Sequence, residues 1–221
     1  MRSSFRSIEV RILALTIAPL LIAAAPAPTL PRKLPPIHQC NDDRSFDSFG
    51  YTLAQAVARR DRGSLLELFA PDVLLNFGGS RGRDELVKEW EFDAAEYANI
   101  WRQLEIMLKM GCAKSNGARV IPSLSVQVEP YAEEQLRDRI LILPGARLLK
   151  ERGVEHPNPD TIGWSVARVI SRVADWGTGV RLPDGREGYI FDDEVYEPAG
   201  YRMLIEKRDG KWMITAFVAG D

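Results

Sequence analysis

Apolar residues recur at helical spacing through the first half of this chain and fall into short blocks or alternation in the second half. Phe46, Phe49, Leu53 and Val57 form one stripe, so a helix is expected from Ser45 to about Asp61-Arg62-Gly63. Ser64 and Glu67 have capping-box spacing for a second helix over 65–70, which Pro71 ends. A strand over 73–77 follows, and Gly78-Gly79-Ser80-Arg81-Gly82 turns the chain into a helix over 84–90. Asp93 and Glu96 open the longest helix, with Tyr97, Trp101, Leu104 and Leu108 inward and Gly111 at its end. Residues 114–118 read as a polar loop, and the pattern turns extended from Val120, with 125–128 alternating.

The segment 133–139 is charged and reads as a turn or short helix. Beyond it, apolar runs at 140–143, 146–150, 164–173, 176–182 and 186–190 are separated by Gly, Pro and Asn clusters. A closing hairpin, 201–207 with 211–218, turns at Arg208-Asp209-Gly210. Short strands with regular turn signals favour a small barrel over βαβ units. The fold class expected is α+β: a helix-rich region over 45–130, a small β-barrel over 140–197 and a C-terminal hairpin over 198–221. No internal repeat is present.

The amino terminus changes where the chain is expected to work. Arg2, Arg6 and Arg11 precede an apolar run over 12–25 that exits into Pro26-Ala27-Pro28. Residues 1–27 therefore read as a secretory signal peptide, with an uncleaved anchor as the competing reading. A spanning helix needs roughly 20 apolar residues, and Pro19 interrupts this run. Residues 28–44 are a proline-rich linker, and the neighbours of Cys40 do not form a lipoprotein box. The expected location is periplasmic or secreted.

The net charge is −2, and loss of three arginines and Glu9 with the leader takes it to −4. Both signs are mixed along the chain, which argues against nucleic acid as a partner and against membrane binding once the leader is gone. Cys40 and Cys112 are the two cysteines. In an exported chain they favour a disulfide; two free thiols or a metal pair are the competing readings.

Little in the chain announces chemistry. Phe77 to Arg83 lacks both the Gly-Lys-Ser/Thr ending and the G-x-G-x-x-G pattern of phosphate loops, and Asp84 and Glu85 would repel an anion there. A tight turn is the better reading. His38 lies in the proline segment and His156 in a His-Pro-Asn-Pro loop, and no G-x-S-x-G elbow exists. Asp192-Asp193-Glu194 lacks the alternating ligands of a calcium loop and reads as a solvated turn. No catalytic residue, cofactor or metal is expected. Trp90, Trp101 and Trp212 fall on apolar stripes and read as core. Trp164, Trp176, Tyr189 and Tyr196 are the candidate ligand-binding aromatics, with barrel core or interface as the alternative.

Two resemblances bear on these residues. Trp176, then Pro183-Asp184-Gly185, Gly188, Tyr189 and Ile190 resemble the last hairpin of bacterial SH3 (SH3b) domains. Leu148-Leu149-Lys150 and Trp164-Ser165-Val166-Ala167 take the places of that family's opening and middle strands. The expected arginine after the opening strand is replaced by Lys150-Glu151-Arg152. Separately, Leu53 to Val57, Asp61, Leu65-Leu66, Phe69 to Val73 and Gly82 resemble the opening of NTF2-like (cystatin-like) domains. Lys207 to Ile214 is similar to that fold's closing strands. Together they imply a barrel inserted in an NTF2-like fold, the last hairpin pairing with the strand at 73–77, although no middle strands are evident between Trp90 and Val120.

The SH3b resemblance implies a non-catalytic module that recognises a cell-wall peptide or an envelope protein. The NTF2-like resemblance implies an enzyme or small-ligand binder with a pocket near Phe77, Trp90 and Trp212, formed by the N-terminal helices and the C-terminal hairpin. A purely structural subunit is the third reading.

Overall fold

A computed structural model describes residues 28–90, 92, 100–151, 154–155, 162–173 and 177–220. The leader, the cap at Asp93, Tyr97, His156 and Trp176 lie outside the described residues.

Helix α1 (Arg44–Ala58) starts because the Asp43 carboxylate accepts the Ser45 amide at 2.8 Å. Its stripe of Phe46, Phe49, Leu53 and Val57 is buried as the spacing requires. Asp61, rather than Ser64, caps α2 (Arg62–Leu68), accepting the Ser64 amide at 3.1 Å. Strand β1 (Phe69–Leu74) begins where the pattern had placed the end of that helix. Pro71 reads as a helix breaker, yet here it sits in an edge strand, which needs no donor on its outer side. Helices α3 (Arg83–Glu89) and α4 (Ile100–Lys109) follow, α4 burying Ile100, Trp101, Leu104, Ile106 and Met107.

The loop expected over 114–118 is instead a hairpin of β2 (Ala113–Ser115) and β3 (Ala118–Ile121), with only residues 116 and 117 in its turn. Asn116 and Gly117 take φ of 48° and 84° there, which lets two strands reverse across two residues. The alternating run at 125–128 is helix α5 (Leu124–Val128) instead. The buried Ser123 at its start donates its hydroxyl to the Met110 carbonyl at 2.7 Å and accepts the Ile37 amide at 3.1 Å. That anchor turns the chain out of the sheet.

Helix α6 (Glu133–Leu136) leads into β4 (Arg139–Ile142), then β5 (Leu149–Glu151), β6 (Val154–Glu155), β7 (Val166–Val173), β8 (Gly177–Arg181) and β9 (Glu187–Ile190). A 3-10 turn (Asp192–Glu194), β10 (Val195–Tyr196), β11 (Arg202–Arg208) and β12 (Lys211–Val218) complete the chain.

Two sheets result. The first has the order β1-β12-β11-β3-β2. Its β1 runs parallel to β12, with Phe69 opposite Ile214, so the first strand and the closing hairpin meet as the resemblance of the two ends implied. Strand β3 pairs with β11, Leu204 facing Val120. The chain between them leaves this sheet after Ile121 and returns at Arg202, so residues 122–201 form an insertion between neighbouring strands.

Most of that insertion folds into the second sheet, of order β10-β4-β7-β8-β9-β5-β6. Its terminal strands do not pair with each other, so among the described residues the sheet is open and not the closed barrel expected over 140–197. The turn at Pro183-Asp184-Gly185 does form: Gly185 takes φ of 91°, and Asp184 accepts the Arg186 amide at 3.0 Å. Gly188 is required by close approach, since a Cβ there would lie 2.5 Å from the Leu149 carbonyl oxygen.

Strand β4 serves two cores. Ile140 and Ile142 point into the small core of the second sheet, with Ile162, Val180 and Ile190. Leu141, on the opposite face, joins the main core of α1, α4 and the first sheet, as do Val166 and Tyr196. The proline segment is extended but not free. Leu34 donates to the Trp164 carbonyl at 2.8 Å and Gln39 to that of Cys112 at 2.8 Å, tying the segment to both sheets. Cys40 and Cys112 are joined in a disulfide, with Cα atoms 5.8 Å apart. Among the described residues no helix is long and apolar enough to cross a membrane.

Candidate functional site

The helix-facing side of the first sheet is filled. Trp212 meets Phe46 edge-on at 5.1 Å, and Trp90 sits 4.8 Å from Tyr201 and 5.1 Å from Phe217. Phe77 is 58% exposed, with the Arg202 guanidinium 5.8 Å from its ring. The rings expected to line a pocket therefore pack against other aromatic rings or lie at the surface.

The large cavity lies on the other face. Along β11, Met203 and Ile205 point into the core, which by strand alternation turns Arg202, Leu204 and Glu206 outward. Together with Ala118 and Val120 of β3 these form the floor of a cleft of about 740 Å³. Helix α5, the 131–139 segment, β7 and residues 197–199 form its walls. The cleft thus exists because the insertion folds back over the sheet it leaves.

The strand register gives this floor a direction. Leu204 and Val120 are paired at its apolar middle. Glu206 lies toward the end where Ser115 pairs with Ala118, and there the Ser115 hydroxyl donates to Glu129 at 3.3 Å. Arg202 lies toward the opposite end, near the 197–199 wall. On that side Arg172 is paired with Glu197 at 2.7 Å. Arg139 lines the β4–β7 wall, and its buried Nε–H has no acceptor.

A second cavity, about 310 Å³, lies between α4, Leu143–Gly145 and the 3-10 turn. Trp164 lines it, with a φ of 63°, as does Glu194. Burial raises the Glu194 carboxyl above its usual range, and its Oε2 has no partner. The acidic run at 192–194 is an anchored turn rather than a solvated one. Asp192 accepts the Thr178 hydroxyl at 2.7 Å, and Asp193 pairs with Arg102 at 3.4 Å.

Of the candidate aromatics, the described ones, Trp164, Tyr189 and Tyr196, do not line one groove. Tyr196 is buried at the junction, donating to the Tyr201 carbonyl and accepting from Gln103 at 3.2 Å, and burial raises its phenol. Tyr189 is half-buried on β9, packed against Gly179. Trp164 lines the smaller cavity, and Trp176 is outside the described residues. His38 is held in a parallel bridge to Cys112. Among the described residues no group of three His, Cys, Asp or Glu side chains could hold a metal.

Arg139, Arg202, Glu206 and Glu129 were not singled out from the sequence. The alternation of β11 places Arg202 and Glu206 on its outer face, but only the fold shows that face to be covered.

No family model matches the chain, and no curated protein matches it. Solved structures similar to it include an NTF2-like protein of unknown function from Shewanella oneidensis MR-1. That protein is 14% identical, with 80% of this chain and 98% of that one covered, at a TM-score of 0.31. Another is a protein of unknown function with a cystatin-like fold from Nostoc punctiforme PCC 73102, 13% identical over 83% and 92% of the two chains, at a TM-score of 0.25. The chain is an α+β protein of two sheets with a disulfide, and its cleft is defined by its own strand order.

Proposed function

We propose that this chain is an exported small-ligand-binding protein on an NTF2-like scaffold, its site lying between the outer face of the first sheet and the inserted unit. The observation that carries this reading is the cleft of about 740 Å³, within the 300–1,000 Å³ of ordinary ligand sites. Its walls come from two structural units, a common place for such sites. Its lining among the described residues holds Arg, Glu, Ser and Tyr, groups that orient a ligand by charge and hydrogen bonds. The parallel pairing of β1 with β12 supports the scaffold, and the disulfide supports an oxidising compartment.

Thermal shift against a panel of amino acids, short peptides and sugars tests the site. A ligand that raises the melting temperature loses that effect in Leu204→Trp, which fills the floor while the unliganded protein keeps its melting temperature. Ligands indifferent to Leu204→Trp place the site elsewhere and refute the cleft.

A further inference from the structure

The charges on the floor of the cleft are sorted by the strand register, while Glu133, Arg137 and Asp138 put both signs on the 131–139 wall. Glu206 and the Ser115–Glu129 pair occupy one end of the floor, Leu204 and Val120 the middle, and Arg202 the other end. Arg139 and Arg172 stand on the β4–β7 wall, and Glu197 compensates Arg172. A ligand of one sign would meet repulsion at one end. An uncharged one would form no ion pair at either end. From Glu206 to Arg202 is four strand residues, roughly 13 Å between backbone positions at ~3.4 Å per residue. Side chains reaching inward from both ends shorten that to the span of two or three amino acids.

Resting on the ligand-binding reading of this cleft, we infer that its ligand is a short zwitterionic peptide, with its ammonium toward Glu206 and Glu129 and its carboxylate toward Arg202 and the wall arginines. The apolar middle accommodates small side chains, and neutral sugars or lipids do not suit it. Such a peptide comes either from ordinary protein or from the cell wall, whose peptides carry D-residues.

Isothermal titration with L-trialanine, D-Ala-D-Ala, and trialanine acetylated at its amine or amidated at its carboxylate tests the assignment. Each cap is expected to weaken binding about tenfold, the scale of one charge-assisted contact. In Glu206→Gln the acetylated and free forms converge to within about threefold, and in Arg139→Gln the amidated and free forms do, while both variants keep the parent melting temperature. Tighter binding of the L-form or of D-Ala-D-Ala identifies the source, and either supports the assignment. A doubly capped peptide that binds as tightly as the free one overturns the charge assignment alone. Absence of heat from every peptide, with other ligands still lost in Leu204→Trp, also overturns it and leaves the cleft standing. Absence of heat together with no Leu204→Trp-sensitive ligand overturns both.

Discussion

Replacing Cys40 and Cys112 together by alanine removes a cross-link that spans 72 positions of sequence. On the chain-entropy account, freeing a loop of that length lets the unfolded state gain about 4 kcal/mol of stability at 25 °C. The native side adds little, because the substitution deletes two small sulfur atoms and leaves the backbone bonds of Gln39 and Cys112 in place. A denaturant slope of about 2 kcal/mol/M in urea converts the loss to a midpoint lower by about 2 M. The assay is urea unfolding followed by tryptophan fluorescence, repeated on the parent protein with reductant. Amide exchange adds a local signature: Leu34, Ile37 and Gln39 lose protection before the strands of the second sheet do, since the cross-link holds one end of the proline segment. A midpoint change below about 0.5 M would refute the reasoning. It would mean that the segment is held as well by its own hydrogen bonds, or that the unfolded chain is already restrained.

Three further outcomes are expected. Phe217→Ala, at a fully buried position between Phe69, Trp90 and Tyr201, costs about 3–5 kcal/mol by urea unfolding; a loss under 1 kcal/mol would show a collapsible site. Glu194 has its folded pKa raised by burial, so its penalty is absent below the unfolded value near 4.5 and grows as pH rises through the folded one. Glu194→Gln therefore stabilises the protein at pH 8 and leaves it unchanged at pH 4, and equal effects at both would contradict this. Gly111→Ala places a Cβ 2.3 Å from the Ile37 carbonyl oxygen at a φ of 72°, so it costs at least about 1–3 kcal/mol and exposes the Gln39 amide to exchange.

Much of the scaffold is readable before folding because its signals are local. The α1 stripe, the Asp209-Gly210 turn and the Pro183-Asp184-Gly185 turn each need only their own neighbours, and the cysteines need only each other. The misreadings occur where distant partners decide. Phe69 and Ala70 continue a helical pattern, yet pairing with Ile214, far along the chain, draws them into a strand. Residues 125–128 alternate like a strand, but the buried Ser123, bonded to the Met110 carbonyl and the Ile37 amide, turns them away from the sheet. Tyr196 is a case of the same kind: it looks like a groove residue until α4 and Tyr201 close over it. The cleft itself is a property of the insertion folding back, and no run of residues encodes it.

The most direct measurement is a two-dimensional amide NMR titration of the protein with L-trialanine. Shifts concentrated on Ala118, Val120, Leu204, Glu206 and Arg139 are predicted, with Phe46, Trp90 and Phe217 still. Shifts gathered around those three rings instead would contradict a binding cleft on the outer face of the first sheet, and no shifts at any concentration up to several millimolar would contradict the peptide as its ligand.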